Sequence, residues 1–403
     1  MYDVIKIRED FPIFKNRINN RPIIYLDSAA SSQKPKCMID KIVNIYQNSY
    51  ANVHRSMYDL AEAITIEYEN ARHCVAEFIS ADKNEIVFTR NATEAINLVA
   101  SSWAEKNLNK DDEILISEAE HHANLVPWQM ICHKKQCKLV VFKIENDGSY
   151  SEEQFLQKLS PKTKLVAITA MSNVLGTIFP VNNIVKAAHS VGAKVLVDAC
   201  QFAVHKKIDV KDIDCDFLAF SGHKLYGPTG IGVLFGKYNL LNEMIPYQTG
   251  GDMVDKVTYQ ETTFALPPAR FEAGTPAIVQ AIGLAESVKY IQNLGMENIE
   301  RYEEELVKYM FDATSDIRNF EHIGKVKNKG GVFSFQVGNI HPQDLAYVLN
   351  KEGVSIRIGH HCAEPLVNRM GYNSVARASF GLYTSKDDID TFVKAVNKAM
   401  KFF

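Results

Sequence analysis

The chain has 403 residues, enough for two or three folding units and a large buried core. With 46% hydrophobic and 23% charged residues it sits near the averages of globular proteins, which excludes a disordered or fibrous chain. The 45 basic and 48 acidic side chains leave a formal net charge of -3, so neither nucleic acid nor an anionic membrane is expected as a partner, and any phosphate must be held by local groups.

In chain order, the stretch Met1 to Asp10 carries charges where a signal peptide needs an apolar segment, and no apolar run approaches the roughly 18 residues of a membrane span. Seven cysteines stand at positions 37, 74, 132, 137, 200, 215 and 362 with no Cys-x-x-Cys pair, a pattern that suits reduced thiols. A cytoplasmic protein is expected, and a processed organellar form would read the same.

From about residue 85 to 235, short apolar runs alternate with longer amphipathic ones, the pattern of an α/β unit with a mainly parallel sheet. Strands are predicted at Glu85 to Thr89, Glu113 to Ser117, Leu165 to Thr169, Lys194 to Asp198, Phe217 to Ser221 and Gly232 to Phe235. Val181 to His189 has helical spacing and stops at Gly192, completing a βαβ crossover. The stretch from Thr249 to Thr275 reads as a long loop covering a site, because structureless stretches of that size are more often functional than idle. A long helix over 278–293 and an acidic one through Glu300 to Tyr309 follow. Strands at Val332 to Val337, Val354 to Ile358 and Arg377 to Leu382, interleaved with helices near 342–351 and 386–401, then predict a smaller α+β domain. The division expected is a large unit over 21–275 and a small C-terminal unit over 276–403 joined by residues 1–20.

Four clusters carry candidate chemistry. Asn91-Ala92-Thr93-Glu94 opens a helix after a strand, where free backbone N–H groups and the Thr93 hydroxyl can hold an anion; a plain cap with Glu94 as capping-box partner is the alternative. Glu120-His121-His122-Ala123-Asn124 follows another strand end, where an open α/β sheet places ligands, although a single histidine there can equally be a packing residue. Asp198 and Ser221-Gly222-His223-Lys224 end two strands. A lysine there can form a Schiff base and an aspartate can pair with a pyridinium nitrogen, the minimal constellation of a pyridoxal phosphate enzyme; a structural Asp–Lys ion pair is the alternative.

Arg357-Ile358-Gly359-His360-His361-Cys362-Ala363 is the fourth cluster, where cations and imidazoles around one thiol suit a reactive thiolate. A His-His-Cys metal site is disfavoured, because near-consecutive side chains rarely converge on one ion and no second ligand pair has zinc spacing; no metal is expected. Arg377, at the start of a strand, could clamp a substrate carboxylate or simply form a surface ion pair.

Val197-Asp198-Ala199-Cys200-Gln201, Ser221-Gly222-His223-Lys224-Leu225-Tyr226-Gly227-Pro228, Phe271-Glu272-Ala273-Gly274-Thr275-Pro276 and Arg357 to Ala363 together resemble the SufS-type, group II cysteine desulfurases. These belong to the class V aminotransferase superfamily of fold-type I pyridoxal phosphate enzymes. The resemblance runs from Tyr25-Leu26-Asp27-Ser28-Ala29-Ala30 through the last helix. It implies a fold-type I transferase whose large domain holds a mainly parallel seven-stranded sheet. It also implies that Lys224 would hold the cofactor, Asp198 would keep its ring nitrogen protonated, Gln201 would bond its ring hydroxyl and His121 would stack on the ring. Thr93, Ser221 and His223 would bind the phosphate, with Thr275 supplied by the second subunit of a homodimer. Asn173 and Arg377 would hold the carboxylate of L-cysteine, with Arg357 near the reactive loop, and Cys362 would accept the sulfur for iron–sulfur cluster assembly, passing it to a SufE-like or SufU-like acceptor.

The chain departs from the family pattern in three places. Asn91-Ala92-Thr93 replaces a more usual Gly-Thr-Thr and loses one phosphate hydroxyl. Cys200 stands where a small residue is usual and is expected to pack. Phe380-Gly381 replaces a more aliphatic pair and has no functional reading. Alternatives on the same fold are a selenocysteine lyase or cysteine sulfinate desulfinase, and outside enzymology an idle scaffold that binds a sulfur-transfer partner.

Overall fold

The computed structural model describes residues 2–55 and 57–403; Met1 and Ser56, which fall in the N-terminal segment and the large unit read above, lie outside them. Seven strands form the main sheet in the spatial order Ile86–Thr89, Gly232–Gly236, Phe217–Ser221, Lys194–Asp198, Thr163–Thr169, Glu113–Ser117 and Lys138–Phe142. Gly232–Gly236 runs antiparallel to both of its neighbours and every other pairing is parallel. Reversing that one strand leaves Ile86–Thr89 pointing the same way as the rest. The carboxyl ends at Thr89, Ser117, Thr169, Asp198 and Ser221 therefore share one edge of the sheet.

The strands are apolar on both faces because both are covered. Val166, Ile168, Val195, Val197, Leu218, Phe220 and Val233 point into one core, while Leu165, Ala167, Leu196, Phe217, Ala219 and Leu234 alternate into the other. Helices Asp59–Phe78 and Ile278–Leu294 pack on each other and supply the first core, which takes Ile64, Tyr68, Val75, Ile282 and Val288. The second is closed by the continuous helical run from Ala92 to Asn107, which contains a π-helical segment at Val99–Ala104, and by Val126–Lys135.

A third core lies under a four-stranded antiparallel sheet ordered Phe320–Ile323, Val332–Val337, Val375–Ser379, Arg357–Gly359. Helices Met296–Thr314, Pro342–Lys351 and Lys386–Ala399 cover it. Ile24 and Leu26 are buried in this core, and the short strand Ile24–Tyr25 pairs in parallel with Val354–Ser355. Further toward the N-terminus, Arg8 donates to Asp388 (2.8 Å), to the Tyr383 carbonyl (3.0 Å) and to the Ile23 carbonyl (2.7 Å).

Several local readings are corrected. Glu85 belongs to a single 3-10 turn over Lys83–Glu85 that Asp82 caps, so its strand starts at Ile86. The strand expected over Val354 to Ile358 breaks into Val354–Ser355 and Arg357–Gly359, which pair with different partners. The one expected over Arg377 to Leu382 runs instead over Val375–Ser379. Strands Lys138–Phe142 and Phe320–Ile323 were not expected: both are sheet edges with exposed residues, so their apolar signal is diluted. The stretch from Thr249 to Thr275 is not structureless. It forms a hairpin of Val254–Val257 with Thr262–Phe264, and Glu272 beyond it is buried against Arg72 (2.7 and 2.9 Å), the Tyr68 hydroxyl (3.1 Å) and the Phe88 N–H (2.6 Å).

Candidate active site

Along the shared edge of the main sheet lies a cavity of about 220 Å³. Thr93, His121, Asn173, Asp198, Gln201, Ser221, His223, Lys224, Arg357, Cys362 and Arg377 all border it, so the structure brings together every residue to which the resemblance assigns a role except Thr275. Thr275 borders a neighbouring cavity of about 410 Å³ with Thr89, Arg90 and Glu94.

The turn after Ile86–Thr89 is shaped by packing as well as capping. Asn91 caps the helix, its side chain accepting the Glu94 N–H (2.9 Å), and Glu94 reaches back to the Arg90 N–H (2.5 Å). The Ser221 hydroxyl accepts the Ala92 N–H (2.9 Å), tying this turn to the strand that leads to Lys224. Gly232 runs beneath it, and a Cβ there would stand 2.4 Å from the Asn91 Cα. The cap reading therefore applies to Asn91, which leaves Thr93 facing the cavity.

Asp198 is buried and accepts the N–H of Cys200 (2.9 Å) rather than a bond from Lys224. Gln201 donates to the Ala29 carbonyl (2.8 Å). The His223 carbonyl, one residue before Lys224, accepts from the Ser32 N–H (3.1 Å), the Ser32 hydroxyl (3.0 Å) and Lys34 Nζ (2.7 Å), which fixes the lysine-bearing turn. Burial pulls Lys34 down to about 7. Burial, followed by the charge of Lys224, also lowers His223 to about 4 and His121 to about 4, so both imidazoles are neutral at pH 7. His121 Nδ1 accepts the Ala123 N–H (3.0 Å), which leaves Nε2 to carry the ring proton.

Beside His121, Glu120 is fully enclosed and accepts from the Ser117 hydroxyl (2.5 Å), Asn124 Nδ2 (2.7 Å) and the Thr169 N–H (3.0 Å). Burial raises its carboxyl to about 8 despite those donors. Sequence reasoning had given it no role.

Cys362 is exposed, on a loop where His361 (φ 53°) and Cys362 (φ 56°) are both left-handed, a costly conformation for two consecutive side chains. Contacts from the main-sheet side hold it. The Cys362 carbonyl accepts the His122 N–H (2.7 Å), the His122 ring accepts the Glu364 N–H (3.1 Å), and Asn173 Nδ2 donates to the His361 carbonyl (2.7 Å). Adjacent histidines thus divide the work: His121 faces the cavity and His122 ties down the thiol loop, a role no sequence signal announced. His361 borders the cavity, neither ring nitrogen has a hydrogen-bond partner, and burial lowers it to about 3. Cys200 also borders the cavity, but burial and then the Asp198 charge push its thiol up, so it stays protonated.

Arg377 is buried, not at the surface. Nη1 donates to the Asn173 carbonyl (2.9 Å), Nη2 meets Asp27 Oδ1 (3.2 Å) and Nε is unpartnered. Arg357 Nη1 stands 3.6 Å from Asp27 Oδ2. Among the described residues no cluster of three or more His, Cys, Asp or Glu could hold a metal ion, and no helix is long and apolar enough to cross a membrane.

Comparison with known proteins gives consistent relatives. The class-V aminotransferase family matches residues 24–392. A probable cysteine desulfurase of Synechocystis sp. is 45% identical over 401 residues, covering 98% of this chain and 96% of the relative. A probable cysteine desulfurase of Mycolicibacterium paratuberculosis is 44% identical over 399 residues, 99% of this chain, which spans only 58% of that longer relative. The chain spans 64% of a further long relative, from Synechococcus elongatus. Among solved structures, the S-sulfonic acid form of the cysteine desulfurase CsdA from Escherichia coli superposes with a TM-score of 0.93 at 36% identity, covering 100% of both chains.

Proposed function

The chain belongs to the class-V aminotransferase family, and from that premise we propose that it is a pyridoxal phosphate-dependent cysteine desulfurase of the SufS type, converting L-cysteine to L-alanine with a persulfide on Cys362. The observation that carries the reading is the convergence of Lys224, Asp198 and Cys362 on one cavity.

The residues present fit the cofactor. A lysine, a buried acid and the hydroxyl and imidazole groups of Thr93, Ser221 and His223 line the same cavity, and the Gly232 backbone passes so close under Asn91 that a larger residue would displace the turn carrying Thr93. Lys224 would hold the cofactor, Asp198 its ring nitrogen, Gln201 its ring hydroxyl and His121 its face. When bound, pyridoxal phosphate supplies an electron sink for the substrate Cα.

The chain's own groups do the rest. Arg377 and Asn173, which border the cavity together, bind the substrate carboxylate, and Arg357 stands by the thiol loop. Lys224 Nζ takes the Cα proton, and the neutral His121 handles the thiol protons at Nε2. Cys362 Sγ attacks the substrate sulfur: the new S–S bond forms as the C–S bond breaks, the electron pair stays on the substrate carbon, and after protonation L-alanine leaves. Thiol plus L-cysteine gives persulfide plus L-alanine, with no external oxidant.

This reading extends to a cytoplasmic homodimer in which Thr275 reaches the partner's phosphate site, and to a SufE-like or SufU-like protein taking the sulfur for iron–sulfur cluster assembly. The division proposed is into units 21–275 and 276–403 with 1–20, with two crossings: helix Ile278–Leu294 packs in the first core, and Ile24–Tyr25 pairs with Val354–Ser355 as a strap to the smaller unit. The test is L-alanine release from L-cysteine by the cofactor-loaded protein, with mass spectrometry of the protein. Alanine with one extra sulfur on Cys362 is expected; Lys224→Ala should lose the cofactor's visible absorbance. Alanine formation unaffected by Cys362→Ala, or sulfur found on Cys200, would overturn the assignment.

A further inference from the structure

Two of the seven cysteines meet away from the cavity, and a helix end brings them together. Helix Val126–Lys135 stops at Gln136, which is left-handed (φ 56°, ψ 30°), and the Cys137 N–H then bonds back to the Cys132 carbonyl (3.1 Å). This six-residue closure sets the side chains of its first and last residues against each other, a place where two apolar groups usually touch. Here the two are free thiols, and their sulfurs stand 3.3 Å apart, within about 1 Å of bonding distance. With four residues between them the pair carries no Cys-x-x-Cys signal.

Position decides how such a pair reacts. Cys132 and Cys137 are 7% and 8% exposed, yet they lie just beneath the turn, whose His133, Lys134, Gln136 and Lys138 are exposed. Burial raises both thiols, so neither attacks an external reagent quickly. What the turn supplies is the second step: once one sulfur is joined to a small thiol, the other is already in contact with it and displaces that thiol intramolecularly.

We propose that Cys132 and Cys137 are a redox modification site, a dithiol that closes to an intramolecular disulfide when a small disulfide such as glutathione disulfide is in excess. The thiolate of one cysteine attacks glutathione disulfide, forming a mixed disulfide and releasing one glutathione. The thiolate of the other attacks the protein sulfur of that bond, closing the pair and releasing the second glutathione. Two protein thiols are oxidised, one glutathione disulfide is reduced, and both protons end on the released thiols. Neither cysteine borders the cavity, so the site stands independently of the desulfurase reading.

The test incubates the full-length protein with glutathione disulfide, blocks remaining thiols with N-ethylmaleimide in urea and maps the non-reduced peptides. Trypsin cuts after Lys134 and Lys135, so the two cysteines fall on separate peptides that only their own bond can join. The joined pair is expected as the main form of both, separated by dithiothreitol. In Cys132→Ser, Cys137 should keep its glutathione instead. In protein unfolded in urea before the treatment, both cysteines should carry glutathione and the link should be several-fold less abundant. That arm also shows that the reagent is active, and it holds if Cys132→Ser does not fold. Recovery of both cysteines from the folded protein as maleimide adducts, glutathione retained on either one without a link, or an equal yield of link in urea would overturn the proposal.

Discussion

At the scale of single residues, environment separates side chains of the same type. Cys362 is exposed, whereas Cys200 is half-buried with a thiol held protonated by burial and Asp198, so iodoacetamide should label Cys362 at least tenfold faster, read by peptide mass spectrometry at pH 7.5. Glu120 gives a pH signature. Its folded-state value of about 8 lies above the ordinary 4.5, so the folded protein holds a proton that the unfolded chain has released between those values. Its contribution to stability is complete below pH 4.5 and is lost as pH rises through 8. Glu120→Gln should therefore gain on the native protein between pH 5 and 8.5, by on the order of 1 kcal/mol, in urea midpoints taken across that range. Lys224, Asp198 and Cys362 were legible because their chemistry is unusual for where the pattern put them, at strand ends or beside cations. His122 was not, because its ring partner is 242 residues away, and Glu120 was not, because its enclosure is completed by Thr169, 49 residues away, neither of which local spacing encodes.

At the scale of elements, two contacts position the chemistry. Gly232→Ala would drive a methyl into the Asn91 backbone and should cost about 1–3 kcal/mol by urea unfolding while weakening cofactor affinity through the displaced Thr93. His122→Ala removes the ring acceptor of the Glu364 N–H, and alanine release should fall several-fold to tenfold with cofactor absorbance unchanged. A loss of cofactor alongside would assign His122 to folding instead. The interior strands could be read directly from apolar runs buried on both faces, whereas Lys138–Phe142 opens with an exposed lysine and Phe320–Ile323 alternates only weakly. The single antiparallel strand was invisible for another reason: direction is decided by which neighbours close the sheet, not by composition.

At the scale of the whole molecule, the N-terminal segment buries Ile7 and Phe11 in the first core and reaches helix Lys386–Ala399 of the third through Arg8. Arg8 is bonded to Asp388, Tyr383 and Ile23 and lies over the Phe14 ring at 4.1 Å, so Arg8→Ala leaves the buried Asp388 without its cation and should cost about 1–3 kcal/mol in urea unfolding, with the cofactor retained. The mainly parallel sheet and the smaller α+β unit followed from the alternation of apolar runs with amphipathic ones. The strap did not, because a two-residue strand has no periodicity to detect.

The tethering of the thiol loop has a consequence for delivery. Cys362 rides on a short loop whose carbonyls on both sides of the thiol are bonded to His122 and Asn173, so it has no free length with which to travel. On the reading proposed above, a sulfur held there would have a fixed address at the protein surface, and a receiving molecule would have to carry its own nucleophile to it.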